Sequence, residues 1–256
     1  MQELFNLKGK TAIITGGGRG LGKQMATALA KAGANLVICS RKVDTCEEGC
    51  KELLQFGVQC LSIKCDVTKV DDIQKVIDET VNTFGTIDIL VNNSGTSWAA
   101  PFIDLPEEKW DYVMNVNTKG AFLFSQAAAK VMVPQGSGKI VNIASVLGLG
   151  GVNPEVMDTI AYNTSKGAMI TFTKDLAIKL AKHNIQVNAI APGFFPTKIT
   201  KGLLEKSKNP LRDHIPAGRF GSETDLMGPI LLLTSKSSDY ITGHVLLVDG
   251  GINALV

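Results

Sequence analysis

Tyr162 and Lys166 stand four residues apart in a stretch that reads as helix, so one face carries a phenol and an ammonium. A tyrosine left to itself has a pKa of about 10, and about one in a thousand is ionised at pH 7, too few for an efficient base. A cation beside it favours the phenolate and lowers that pKa. The pair can then give a proton to a developing alkoxide or take one from an alcohol. The spacing alone is common on exposed helix faces, but here Ser165, Gly167 and Ala168 flank it and Ser145 lies upstream. Ser145 closes a strand-forming run, where its hydroxyl can reach a carbonyl oxygen; a serine ending a strand in a turn is the competing account.

A second cluster lies near the start of the chain, where Thr15-Gly16-Gly17-Gly18-Arg19-Gly20-Leu21-Gly22 follows a strand-forming run and opens a helix. Glycines there leave room for a pyrophosphate to approach backbone N–H groups at the positive end of the helix. The ribose end is read from the next strand. A site for NAD places a carboxylate about 20 residues past the glycines, whereas a 2′-phosphate requires cations. The second strand ends Cys39-Ser40-Arg41-Lys42 with no acid. Arg41 and Arg19 offer planar forks to phosphate and Ser40 a hydroxyl, which favours NADP, with NADPH preferred over NADH. Basic residues exposed to solvent are the alternative.

These residues need a scaffold. Strand-forming runs at 11–15, 35–39, 58–67, 87–92, 139–145, 185–191 and 244–249 alternate with helical segments at 21–32, 43–56, 69–84, 107–133, 160–182 and 222–235. That alternation predicts an α/β fold, a Rossmann-type doubly wound sheet of seven parallel strands, in a single domain over 1–256. The glycine turn at 15–22 and Ser145 then fall at carboxyl ends of strands, where ligands bind in such sheets. The irregular segment 192–221, beginning Pro192-Gly193, suits a lid over that edge; a packed surface excursion is the other reading.

The glycine spacing Gly16-x-x-x-Gly20-x-Gly22, with Asn92-Asn93-Ser94-Gly95, Tyr162-x-x-x-Lys166, Pro192-Gly193 and the closing Val248-Asp249-Gly250-Gly251, resembles the short-chain dehydrogenase/reductase family over essentially the whole chain. Ser94 stands where alanine is commoner. The resemblance implies that Ser145, Tyr162 and Lys166 are catalytic and that Asn117, chosen over Asn115 by the register Asn-x-x-Gly-x-Phe, joins them as a proton relay. It implies that Asp66 and Val67 meet the adenine and that Asn93 and Gly95 line the ribose side. Leu21, Lys42, Val116, Pro192, Gly193 and Thr197 complete the candidate cofactor contacts with Gly16, Gly18, Arg19, Gly20, Gly22, Ser40 and Arg41. The stretch from Ser145 to Tyr162 exceeds the usual length, which points to an insertion at 153–158 beside the substrate.

The implied activity is reduction of a ketone to a secondary alcohol, or the reverse, on a 3-oxoacyl or related carbonyl. The resemblance extends equally to gluconate 5-dehydrogenase-like enzymes of sugar acids and polyols, and a silent nucleotide-binding module is the reading from another class. Trp98, Phe194 and Phe195 are candidate walls for a partly apolar substrate. A homotetramer is expected from the resemblance.

Composition narrows the field. Twenty-six basic against 24 acidic residues give a net charge of +2 with no block of one sign, so no nucleic-acid or membrane footprint is expected. Five cysteines, Cys39, Cys46, Cys50, Cys60 and Cys65, fit no zinc spacing, and the scattered His183, His214 and His244 add no metal motif. The odd count and the polar N-terminal residues predict reduced thiols in a cytoplasmic protein, neither secreted nor anchored. No Gly-x-Ser-x-Gly elbow is present for a serine hydrolase.

Overall fold

A computed structural model describes residues 2–196 and 210–255. Seven strands, β1 (Thr11–Thr15), β2 (Asn35–Ser40), β3 (Cys60–Lys64), β4 (Ile89–Asn92), β5 (Gly138–Ile143), β6 (Ile185–Pro192) and β7 (Val245–Val248), form one sheet in the order β3-β2-β1-β4-β5-β6-β7. Every neighbouring pair is parallel. The chain winds outward from β1 in one direction through β2 and β3 and in the other from β4, so the strand order reverses between β1 and β4. That reversal opens a crevice at the carboxyl ends of the two strands.

The five inner strands, β1, β2, β4, β5 and β6, are buried on both faces, with side chains alternating between two helical layers, while the edge strands β3 and β7 are half-buried. On one face Ala12, Ile14, Leu36 and Ile38 meet α1 (Gly20–Lys31), α2 (Val43–Leu53) and α7 (Met227–Thr234). On the other, Ile13, Val37, Leu90 and Ile140 meet α3 (Val70–Phe84), α5 (Gly120–Gln135) and α6 (Ile160–Leu180). Phe124 of α5 is fully buried in this second layer. Removing such a ring from the core costs about 3–5 kcal/mol.

The elements match the predicted alternation, with shorter bounds where side chains stop the regular backbone. The third strand ends at Lys64, before 67, because the Asp66 carboxylate accepts from the Thr68 N–H at 3.0 Å and its hydroxyl at 2.8 Å and turns the chain. The helix predicted over 222–235 begins only at Met227: Asp225 accepts from the Ser222 N–H and pairs with Arg219, which holds 219–225 as a loop. The long helix predicted over 107–133 is α4 (Glu107–Met114) and α5 joined by a π turn, Asn115–Lys119.

The cysteines depart from expectation. Cys50 on α2 and Cys60 on β3 form a disulfide, because α2 folds back onto the strand that follows it; Cys39, Cys46 and Cys65 are free and buried. The reading of five reduced thiols is corrected for that pair. Among the described residues no helix is long and apolar enough to cross a membrane, and no group of three His, Cys, Asp or Glu side chains could hold a metal ion.

Candidate active site

The crevice beyond β1 and β4 is a cavity of about 410 Å³. At its base the chain leaves β1 through Gly16, with φ of +68°, and enters α1 at Gly20. A Cβ on Gly22 would lie 2.3 Å from the Gly16 carbonyl oxygen, and one on Gly18 would lie 2.5 Å from the carbonyl oxygen of Thr45 on α2. Only glycine therefore lets the turn, α1 and α2 close together. Asn93 locks the same turn to β4, its Nδ2 donating to the Thr15 carbonyl at 2.8 Å.

Arg19, Ser40, Arg41 and Lys42 line one end of the cavity. Ser40 Oγ is already engaged, donating to the Lys42 carbonyl at 2.9 Å and accepting from Cys46 Sγ at 3.2 Å. The Arg41 guanidinium lies 6.0 Å from the Tyr112 ring centroid. Burial raises the Asp66 carboxyl, but hydrogen bonds from Thr68 and the charges of Arg41 and Lys69 outweigh it and hold the group below its ordinary value.

Ser145, Tyr162 and Lys166 line the opposite end. Ser145 follows β5 in extended conformation, and its Oγ accepts from the Leu147 N–H at 3.2 Å. Lys166 is buried, donates from Nζ to the Ile143 carbonyl at 2.6 Å and sits 5.5 Å from the Tyr162 ring centroid. Burial lowers its pKa to about 8. The phenol moves opposite to expectation: burial pushes Tyr162 above its ordinary value, and a hydrogen bond with Ser145 pulls it only part of the way back. Desolvation opposes charge on both groups, and the phenol does not show the lowering that was expected from the neighbouring ammonium.

Asn117 does not line the cavity but stands behind it, 2% exposed, while Asn115 is exposed. The π turn swings Asn117 inward, where its Oδ1 accepts from the Thr96 N–H at 2.8 Å and its Nδ2 donates to the Thr96 carbonyl and to Ser165 Oγ, each at 2.9 Å.

The sequence falls in line with this geometry. The family model described as enoyl-(acyl carrier protein) reductase matches residues 16–253. The chain belongs to the short-chain dehydrogenase/reductase family. It is 43% identical over 251 residues to the 2-dehydro-3-deoxy-D-gluconate 5-dehydrogenase of Escherichia coli K12, covering 96% of each chain. To the 3-oxoacyl acyl-carrier-protein reductase of Aquifex aeolicus it is 37% identical, over 97% of this chain and 99% of that one. A gluconate 5-dehydrogenase from Burkholderia cenocepacia J2315, crystallised with NADP and tartrate, superposes with a TM-score of 0.94 at 35% identity, over 100% of this chain and 99% of that one. As a short-chain dehydrogenase/reductase the protein is an oxidoreductase of CH–OH and C=O groups.

Most residues singled out from the sequence meet in this one cavity, among them Leu21, Val67, Gly95, Val116, Pro192 and Gly193. Phe195 lines it too, but Phe194 faces a neighbouring cavity of about 270 Å³ with Arg219 and Asp249. Trp98 is 41% exposed and stacks under Lys109, whose Nζ lies 4.5 Å from the ring centroid. Thr197, and with it much of the 192–221 segment, lies outside the described residues. The 153–158 stretch, read from the sequence as an insertion, is tied to the loop after β4 by a bond from the Ala100 N–H to the Asp158 carbonyl at 3.0 Å. Thr45, Cys65 and Ser94 also line the cavity and were not among the site residues expected from the sequence. Gly18 was the available signal for Thr45, since a glycine so placed implies another backbone pressed against it.

Proposed function

We propose that the protein is an NADP(H)-dependent reductase that converts a ketone to a secondary alcohol, or runs the reverse, on a 3-oxoacyl or related small carbonyl. The observation that carries this reading is a single cavity with cations and no acid at the end of β2, and Ser145, Tyr162 and Lys166 at its other end. The residues fit the dinucleotide: the space at Gly18 and Gly22 that a Cβ would close suits a pyrophosphate at the α1 N-terminus, and Arg41 with Arg19 suits a 2′-phosphate. NADP in the Burkholderia relative supports the same assignment. Asp66, Val67, Asn93, Gly95 and Val116 would flank the nucleoside.

When bound, the nicotinamide supplies or accepts the hydride. Ser145 orients the carbonyl oxygen by a hydrogen bond. Tyr162, kept protonated by burial, gives its proton to that oxygen as charge develops on it. Lys166, charged below about pH 8, stabilises the phenolate left behind, and Asn117 anchors the path by which the proton is replaced. Reduction should therefore lose rate as pH rises through about 8, where Lys166 gives up its charge.

A keto sugar acid is the second reading for the substrate, favoured by the E. coli and Burkholderia relatives named for gluconate derivatives. The reading keeps the cytoplasmic homotetramer of the sequence expectation. The test is oxidation of NADPH and NADH with ethyl acetoacetate, an acetoacetyl thioester and 5-keto-D-gluconate, for the native chain and Arg41→Asp. The native chain should prefer NADPH in kcat/KM, and the substitution should cost tenfold or more of that preference, about 1.4 kcal/mol. A native preference for NADH overturns the NADP assignment, and no turnover on any carbonyl overturns the reductase.

A further inference from the structure

The first two turns of α6 are held on two sides. On one, Gly148, three residues past Ser145, lies so close that a Cβ there would sit 2.5 Å from the Lys166 carbonyl carbon. On the other, fully buried Ser165 donates from Oγ to the Tyr162 carbonyl at 2.7 Å while accepting from Asn117 Nδ2 at 2.9 Å. Thr118 of the π turn adds a longer bond to the Ser165 carbonyl at 3.4 Å. A serine hydroxyl bonding back along its own helix ordinarily weakens the helix slightly. Here it serves as a one-atom bridge between the inward-turned amide of Asn117 and the backbone of Tyr162.

Resting on the acid/base reading of Tyr162, we propose that Ser165 is a positioning residue. Its hydroxyl fixes α6 against the π turn and so sets the Tyr162 phenol against Ser145. The Gly148 contact sets how near α6 stands to β5, and the Ser165 bridge sets how the first two turns are placed along and around that contact. Asn117 is itself pinned to the backbone N–H and carbonyl of Thr96, so the bridge has a rigid abutment. Loss of the Ser165 hydroxyl leaves one buried N–H of Asn117 unpaired and frees the Tyr162 carbonyl from its side-chain tether.

The test needs no knowledge of the substrate. The ionisation of Tyr162 is read as phenolate absorbance in rapid pH jumps, before alkaline unfolding, with Tyr162→Phe as the blank. In Ser165→Ala the midpoint should rise by about half a pH unit or more, because a phenol no longer held against Ser145 loses the hydrogen bond that lowers its pKa. NADPH affinity, read by fluorescence, should stay within about twofold. Ser165→Thr, which keeps the hydroxyl, should restore the midpoint. An unchanged midpoint with a lowered melting temperature would make Ser165 a packing residue only and overturn the proposal. Should Ser165→Ala not fold, Ser165→Cys, similar in size but weak in hydrogen bonding, is held to the same outcome. Failure of the acid/base reading shows separately, as wild-type turnover by Tyr162→Phe.

Discussion

Lys166 is a buried ammonium whose bond at 2.6 Å goes to a backbone carbonyl, so folding confines a charge without giving it a carboxylate. Its pKa falls from 10.5 to about 8, which means that below pH 8 the folded state holds a charge it disfavours. The unfolded chain keeps the proton up to about 10.5, so this penalty shrinks as pH rises from about 8 toward that value. Lys166→Met should therefore raise the melting temperature at pH 7 and change it little at pH 10, while abolishing turnover. Calorimetry at the two pH values checks this, and a uniform loss of stability would contradict it. The pairing of Tyr162, Lys166 and Ser145 was legible from spacing and strand ends. The direction of the phenol's shift was not, because burial depends on residues distant along the chain. Ser94 illustrates the same limit: a one-residue change from alanine attracts little notice until the fold turns it into the cavity.

Among the elements, α2 joins two features that the sequence kept separate. Its first turn presses the Thr45 carbonyl onto Gly18, and Gly49 packs beside the same glycine, with 3.3 Å from its would-be Cβ to the Gly18 Cα. The next residue, Cys50, is bonded to Cys60 on β3. The sequence separation is 10, and closing a loop of that length in the unfolded chain is worth about 2–3 kcal/mol. Reduction, or Cys60→Ser, should lower the free energy of unfolding by that amount in urea titrations. Reductant should then have no further effect on the Cys60→Ser chain; a midpoint indifferent to reductant in the native chain would show the pair to be open in solution. The alternation of strand-forming and helical stretches placed α1, α2, α3 and α6 to within about three residues of their bounds. The pairing of Cys50 with Cys60 was not, since an odd cysteine count allows many pairings and only the fold brings α2 back over β3. The π turn was likewise invisible to periodicity, which reads 107–133 as one helix; only the register around Asn117 hinted that the face changes there.

At the scale of the molecule, the order β3-β2-β1-β4-β5-β6-β7 explains why residues far apart in sequence share one cavity. Each βα connection returns to the same sheet edge, so the ends of β1, β2, β4, β5 and β6 all face the crevice opened between β1 and β4. This architecture was the most legible property of all, because seven alternations constrain topology more tightly than any single motif. The near balance of charge leaves the electrostatics of the site to local cations at the end of β2 and to Lys166, not to a field of the whole protein. The substrate was the least legible: of the three aromatic walls read from the sequence, Phe195 lines the cavity, whereas Phe194 lines the neighbouring one and Trp98 lies under Lys109. The central claim is that a phenol held by the sheet edge hands its proton to a carbonyl oxygen. The most direct test is Tyr162→Phe with the carbonyl that the native chain reduces: NADPH should bind with unchanged affinity while turnover falls by about 10³ or more. A variant that binds NADPH and oxidises it at close to the native rate would contradict the account.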